Sequence, residues 1–247
     1  MKIVAMIPAR LESSRLPGKA LLDIGGLPMV VHTCLRTQLA RGVDAVYLAT
    51  DSEKIREVAE SHGIRVIMTG THHSCGSDRI AEAARLVESD VIINVQGDEA
   101  LVNPEHIEAI ARTMAEDLSV QCAIGVTQYR ERNRGSDIKA VLDLAGNVLY
   151  CSRSDLPSEA RTQAPFLLKM SFIVGFRTPF LYRYASWEPT PLELFEYNEY
   201  LRILEHGEKI RAVPFSDAKI SVDTPEDLEI IRGLMAKDTL RHQYMKA

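Results

Sequence analysis

Cysteine is scarce in this chain and never paired at short range: Cys34, Cys75, Cys122 and Cys151 are the four present in 247 residues, and no CxxC occurs. That excludes a zinc ribbon or a thioredoxin-like redox motif and leaves reduced thiols in a cytosolic protein as the simplest reading. Long apolar runs are missing as well. The run ahead of Pro8 covers only Ile3 to Ile7, too short for a signal-peptide core, and nothing approaches the roughly 18 apolar residues of a membrane span. The expectation is a cytoplasmic protein with no membrane partner. No long basic stretch occurs and the formal net charge is -5, so binding to duplex nucleic acid is not expected. GxGxxG is absent, and Gly18-Lys19 is followed by Ala20 rather than Ser or Thr. A dinucleotide dehydrogenase and a P-loop ATPase thereby lose their best support.

What is present reads as an ordinary globular chain, 46% hydrophobic and 26% charged. A chain of this length buries roughly 70–75% of its unfolded surface and needs no disulfide or structural metal for its core. Short β-branched runs alternate with helical patterns. Residues 2–7, 45–50, 65–68, 91–96 and 119–127 read as strands, and 27–39, 52–62, 77–87 and 104–115 as helices. Val91, Ile92, Ile93 and Val95 make a nearly continuous apolar strand, as expected at the centre of a sheet covered on both faces. From about residue 138 the texture changes to strands at 138–143, 147–151 and 168–176, taken as a lobe inserted into the sheet domain at about 138–190. A helix at 190–206, short strands at 209–214 and 219–222, and a helix at 224–235 opened by Thr224-Pro225 complete the chain. The polar tail from 237 to 247 is expected to fray. The fold expected is α/β: a mostly parallel sheet with helices on both faces, a single domain over 1–247, and the small β-rich lobe.

Chemistry in such sheets gathers at the carboxyl ends of strands. The loop after the first strand, residues 8–19, carries Arg10, Arg15 and Lys19 in ten positions, fixed by Pro17 and Gly18. Three converging cations, with Gly18 letting backbone approach, suit a triphosphate; the bland alternative is a solvated basic loop. Asp98 follows the buried strand and Asp223 follows 219–222, so both carboxylates can project into one cleft, where hard Mg²⁺ takes oxygen ligands. Taken singly, Asp98 reads equally as a turn residue and Asp223 as a helix cap. Ser77 or Asp78 can cap the helix that starts there, and Arg79 can pair on the surface. His72 and His73, with no carboxylate or cysteine at ligand spacing, read as loop residues, and no Cys/His spacing singles out a covalent nucleophile.

The order strand, Arg10, Arg15, Pro17-Gly18-Lys19, then Gly25-Gly26-Leu27-Pro28-Met29 resembles the start of sugar nucleotidyltransferases. IPARLESSRLPGKALLDIGGLPMVVH is very similar to the opening of the 3-deoxy-manno-octulosonate (Kdo) cytidylyltransferases, also called CMP-Kdo synthetases. The likeness continues at Ala49-Thr50-Asp51, Cys75-Gly76-Ser77-Asp78-Arg79, Asn94-Val95-Gln96-Gly97-Asp98-Glu99, Tyr150-Cys151-Ser152-Arg153, Pro191-Leu192-Glu193 and Val222-Asp223-Thr224-Pro225-Glu226-Asp227. It implies transfer of CMP from CTP to the hydroxyl of an acidic sugar, with pyrophosphate released and Mg²⁺ held by Asp98 and Asp223. It further implies Arg15, Lys19, Asp98 and Asp223 as catalytic residues and Ala9, Arg10, Arg15, Lys19, Ser77, Arg79 and Gln96 as nucleotide contacts. Lys139, Arg153, Met170, Glu199 and Tyr200 are the implied acceptor contacts, with Arg153 a candidate for the acceptor carboxylate. A homodimer formed through the inserted lobe is implied too.

The chain departs from this pattern in the acceptor half. Cys75 stands where the family usually has serine, Met170 where Kdo-activating relatives have histidine, and Tyr200 where they have glutamine. Swapping polar contacts for a thioether and a phenol should change the acceptor, so Kdo is expected to be used poorly while CTP is retained. The alternatives are the same chemistry on another acid and a catalytically silent nucleotide-binding module.

Overall fold

Strand β1, Ile3–Ala9, is buried along its whole length, and its side chains alternate between two cores. Val4 and Met6 join one apolar cluster, whereas Ile3, Ala5, Ile7 and Ala9 join another on the opposite face. A strand covered on both faces has no solvent side, which is why the run reads as continuously apolar. The computed structural model describes residues 1–12, 16–73, 75–217 and 221–245. Within these, β1 lies between β4 (Ala45–Thr50) and β6 (Val91–Val95), both parallel to it, and β5 (Val66–Met68) extends the parallel half beyond β4. On the other side β10 (Leu167–Arg177) runs antiparallel to both β6 and β7 (Cys122–Tyr129), and β11 (Arg211–Pro214) lies parallel to β7. The path β11-β7-β10-β6-β1-β4-β5 is thus mostly parallel, as expected. The hairpin of β8 (Lys139–Leu142) and β9 (Val148–Ser152) hangs from the first half of β10.

Helices α1 (Met29–Thr37), α2 (Glu53–Ser61) and α4 (Pro104–Glu116) cover one face, and α3 (Gly76–Ala84), α5 (Thr178–Tyr184) and α7 (Leu201–Glu205) the other. Their starts follow local chemistry: Ser52 Oγ accepts from the Ile55 N–H at 3.4 Å, and Asn103 caps α4 with Pro104 at its first position. The expected helix at 27–39 begins only at Met29, because Leu27–Pro28 (β3) pairs with Asp23–Ile24 (β2) around Gly25 and Gly26. The helix expected at 190–206 is two, α6 (Pro191–Glu196) and α7, broken where Tyr197 adopts φ 49°. Periodicity could not show the break, which is held from outside the pattern: Arg202 donates to Glu193 at 2.5 and 2.7 Å across it. Helix α5 was not expected from the sequence at all.

A third, smaller core docks α8 (Pro225–Lys237) against the strand ends. Ile24, Met29, Leu101, Val222, Leu228 and Ile231 share it. The strand expected at 219–222 is not seen over Ser221 and Val222, and residues 218–220 lie outside the described residues. Instead the Val222 N–H donates to the Asp98 carbonyl at 3.2 Å. The tail does not simply fray: it turns through a short 3₁₀ helix, Leu240–Gln243, and brings the Tyr244 hydroxyl within 2.8 Å of His32 Nδ1.

Candidate active site

The carboxyl ends of β1 and β6 open into a cleft of about 250 Å³ whose walls include Ala9, Arg10, Lys19, Gly76, Gln96 and Asp98. The two strand ends come so close that a Cβ on Gly97 would sit 2.7 Å from the Pro8 carbonyl oxygen. Glycine is therefore what lets the chain turn Asp98 into the cleft. Gly18, at φ 68°, reverses the loop after β1 ahead of the turn that carries Lys19.

Lys19 Nζ donates to Asp98 Oδ2 at 2.6 Å and to Asp223 Oδ1 at 3.3 Å. The loop after β1, the loop after β6 and the start of α8 thus meet at one ammonium. Asp223 is fixed by the helix it precedes: Thr224 and Asp227 form a capping box, and Asp227 Oδ2 accepts from the backbone N–H groups of Asp223 and Thr224 at 3.1 and 2.9 Å. Two carboxylates from separate elements that already share one cation are a suitable oxygen donor set for Mg²⁺. Next to Asp98, Glu99 is buried, and burial reinforced by the Asp98 charge pushes its carboxyl up to about 8.

Ala9, Arg10, Lys19, Gln96 and Asp98 are brought together as expected, with Asp223 joined to them through Lys19. Arg15 lies outside the described residues. Arg79 lines the cleft, but its guanidinium is committed, donating to Asp51 Oδ2 at 2.8 Å, Thr69 Oγ1 at 2.6 Å and the Gly70 carbonyl at 3.2 Å. Ser77 does not line the cleft. It is fully buried and its Oγ donates to Glu199 Oε1 at 3.0 Å.

The acceptor contacts need more correction. Lys139 is fully buried and donates to the carbonyls of Arg134, Asp137 and Arg153, so its charge is spent on ordering a loop. The Arg153 guanidinium is likewise held by the carbonyls of Gly135, Ser136, Glu196 and Tyr197. Met170 and Tyr200 are each 1% exposed and belong to the core under α3 and α7, where Tyr200 stacks on Phe172 and accepts from Asn94 Nδ2 at 3.4 Å. Glu199 does gather a polar cluster with Ser77 and the Tyr184 hydroxyl, and burial raises its pKa above the ordinary carboxylate value. Burial also pushes the Cys75 thiol up, which keeps it protonated and unreactive.

His72 and His73 are not bare loop residues, since Glu82 from α3 is hydrogen-bonded to His73 Nε2. Sequence reasoning also missed Glu196, which accepts from Ser152 Oγ at 2.6 Å and the Arg153 N–H at 2.9 Å and so ties α6 to β9. No sequence signal marks such a partner, because Glu196 lies 43 positions from Arg153.

A cationic strand-end loop facing paired carboxylates on a sheet of this topology defines a nucleotidyltransferase. The profile of the family described as cytidylyltransferase matches residues 4–210. Two 3-deoxy-manno-octulosonate cytidylyltransferases are similar along almost their whole length. That of Chlorobium phaeobacteroides is 38% identical over 95% of this chain and 98% of its own, and that of Geobacter sulfurreducens 42% over 93% and 97%. A solved CMP:2-keto-3-deoxy-manno-octonic acid synthetase complexed with CTP superposes with a TM-score of 0.92 at 36% identity, covering 96% of this chain and 99% of that one. The chain belongs to the 3-deoxy-manno-octulosonate cytidylyltransferase family. The inositol-1-phosphate CTP transferase of T. maritima, at 15% identity and a TM-score of 0.70, shares the fold.

Proposed function

We propose that the protein transfers CMP from CTP to the hydroxyl of a Kdo-like 2-keto-3-deoxy acid and releases pyrophosphate. The observation that carries this is the meeting of Lys19, Asp98 and Asp223 at the mouth of the strand-end cleft. The acceptor oxygen forms a bond to the α-phosphorus as the bond from that phosphorus to the bridging oxygen breaks, and the hydroxyl proton passes to solvent. Arg10 and Lys19 face the triphosphate and bind the departing pyrophosphate, with Arg15 assigned to the same loop. Asp98 and Asp223 would hold Mg²⁺, which would supply neutralisation of the charge that builds on the phosphate oxygens. Gln96 and the Cys75-Gly76 segment border the nucleotide, and Arg79 positions that wall through Asp51 and Thr69.

Pyrophosphate release from CTP, measured with a panel of 2-keto-3-deoxy acids with and without Mg²⁺, tests the reading. Turnover with at least one acid, dependent on Mg²⁺, is expected; silence with every acid favours a nucleotide-binding module instead. Met170 and Tyr200 are packed in the core rather than facing an acceptor, so their side chains do not set Kdo apart, and Kdo is expected among the acids turned over. A kcat/KM for Kdo above about 10⁴ M⁻¹s⁻¹, the level of a dedicated enzyme, is the expected outcome, and turnover of another acid with none of Kdo overturns it.

A homodimer is supported by the apolar side chains that α6 and its end leave in solvent: Phe195 is 81% and Tyr197 84% exposed, with Leu194 beside them and Leu149 on the adjoining β9. Light scattering should give twice the chain mass, falling to one with Phe195→Glu. No described helix is long and apolar enough to cross a membrane. Four free cysteines accord with the reducing cytoplasm proposed as its location.

A further inference from the structure

Among the described residues, one group of histidine and carboxylate side chains offers three ligand atoms within 4.8 Å of one another, and it lies apart from Asp98 and Asp223: His72, His73 and Glu82. We infer that this group is a site for a borderline transition-metal ion of the Zn²⁺ type, distinct from the oxygen-only Mg²⁺ site.

The donors differ in kind from those in the cleft. Two imidazoles and one carboxylate suit Zn²⁺, Co²⁺ or Ni²⁺, whereas Mg²⁺ prefers oxygen alone. Three protein ligands leave a further position for water, the pattern of an open zinc site.

The group is built rather than incidental. Glu82 sits one helical turn and more into α3, and the Gly70 N–H donates to both of its oxygens at 3.1 and 3.2 Å, an outer contact that sets the carboxylate's orientation. The His72 ring lies over Gly70 so closely that a Cβ there would be 2.6 Å from it, so glycine makes room for the ring. The ring centroids of His72 and His73 are 4.3 Å apart, and His73 Nε2 is already bonded to Glu82. The loop carrying both histidines is pinned from beneath by buried Arg79, which holds Thr69 and the Gly70 carbonyl. Solvent reaches the group past the exposed His72, and a shallow hollow lined by His72, His73, Glu82 and Arg85 gives an entry path. His73 also lines the nucleotide cleft, so a bound ion would clamp the loop from β5 to α3 at the cleft's edge.

The test uses full-length protein stripped with a chelator and returned to buffer containing Mg²⁺. ZnCl₂ is titrated against a chromophoric competitor, and CoCl₂ is followed by its visible d–d bands. Expected are one equivalent of Zn²⁺ bound with a Kd below about 100 µM, a Co²⁺ spectrum of low coordination number, and a rise in Tm on adding Zn²⁺. His73→Ala and the conservative Glu82→Gln should each weaken binding at least about 10-fold and abolish the rise in Tm. Cys75→Ser and Asp98→Asn should leave binding within about 2-fold of the unsubstituted chain. Weaker binding by the unsubstituted chain overturns the inference. So does binding that survives Glu82→Gln, or that is lost in Cys75→Ser or Asp98→Asn, since the ion then sits elsewhere.

Discussion

A single ammonium, that of Lys19, pairs with Asp98 and Asp223 at once and leaves one negative charge unbalanced between them. In the proposed Mg²⁺ site each carboxylate supplies half of the protein's oxygen donors: Asp98→Asn and Asp223→Asn should each keep the fold by circular dichroism yet lose nearly all Mg²⁺-dependent turnover. Near-normal activity at limiting Mg²⁺ would show that the substituted residue is not a ligand. Lys19→Ala is expected to raise the barrier by about 2–4 kcal/mol, seen in kcat rather than in CTP affinity, if its proposed role is on the charge that develops on the leaving group. A rise in KM alone would make Lys19 a ground-state tether. That these three residues meet was legible in the sequence because each sits in a short motif beside a strand end or helix start. The partners of Lys139 and Arg153 were not legible for a matching reason: a positive charge in a motif looks the same whether it meets a substrate or, as in this fold, backbone carbonyls of a neighbouring loop and, for Lys139, the Asp155 carboxylate at 3.4 Å.

At the scale of elements, the sheet was readable and the helices after it less so. Continuous apolar runs such as Val91–Val95 declare a strand covered on both faces. The break between α6 and α7 depends instead on Tyr197 taking a left-handed conformation, rare outside glycine, and on the Glu193–Arg202 pair that spans the break. Arg202 is 3% exposed, so deleting its charge would strand a nearly buried carboxylate. Arg202→Leu should cost about 3–5 kcal/mol in urea unfolding. A loss below about 1 kcal/mol would mean that the two short helices hold their angle by apolar packing alone.

Across the whole molecule, the C-terminal segment is fastened to the first helix through His32. Its Nε2–H donates to the Ile24 carbonyl at 2.7 Å, and Nδ1 is hydrogen-bonded to the Tyr244 hydroxyl at 2.8 Å. Burial, opposed in part by the Ile24 carbonyl, lowers its pKa below the ordinary 6.5. A folded-state pKa that is lowered favours the neutral form, so this stability is fully present above 6.5 and is lost as the pH falls below that value. The urea midpoint should therefore fall between about pH 7.5 and about pH 5.5 in the unsubstituted protein and fall less in His32→Gln; equal drops would remove His32 from the account. The hydrogen bond from Val222 to the Asp98 carbonyl has a consequence in time as well as in space. Asp223 follows about nine-tenths of the 247-residue chain. In synthesis β1 and β6, which shape the cleft, therefore emerge well ahead of Asp223, and Asp98 stands at the cleft before its partner carboxylate is made.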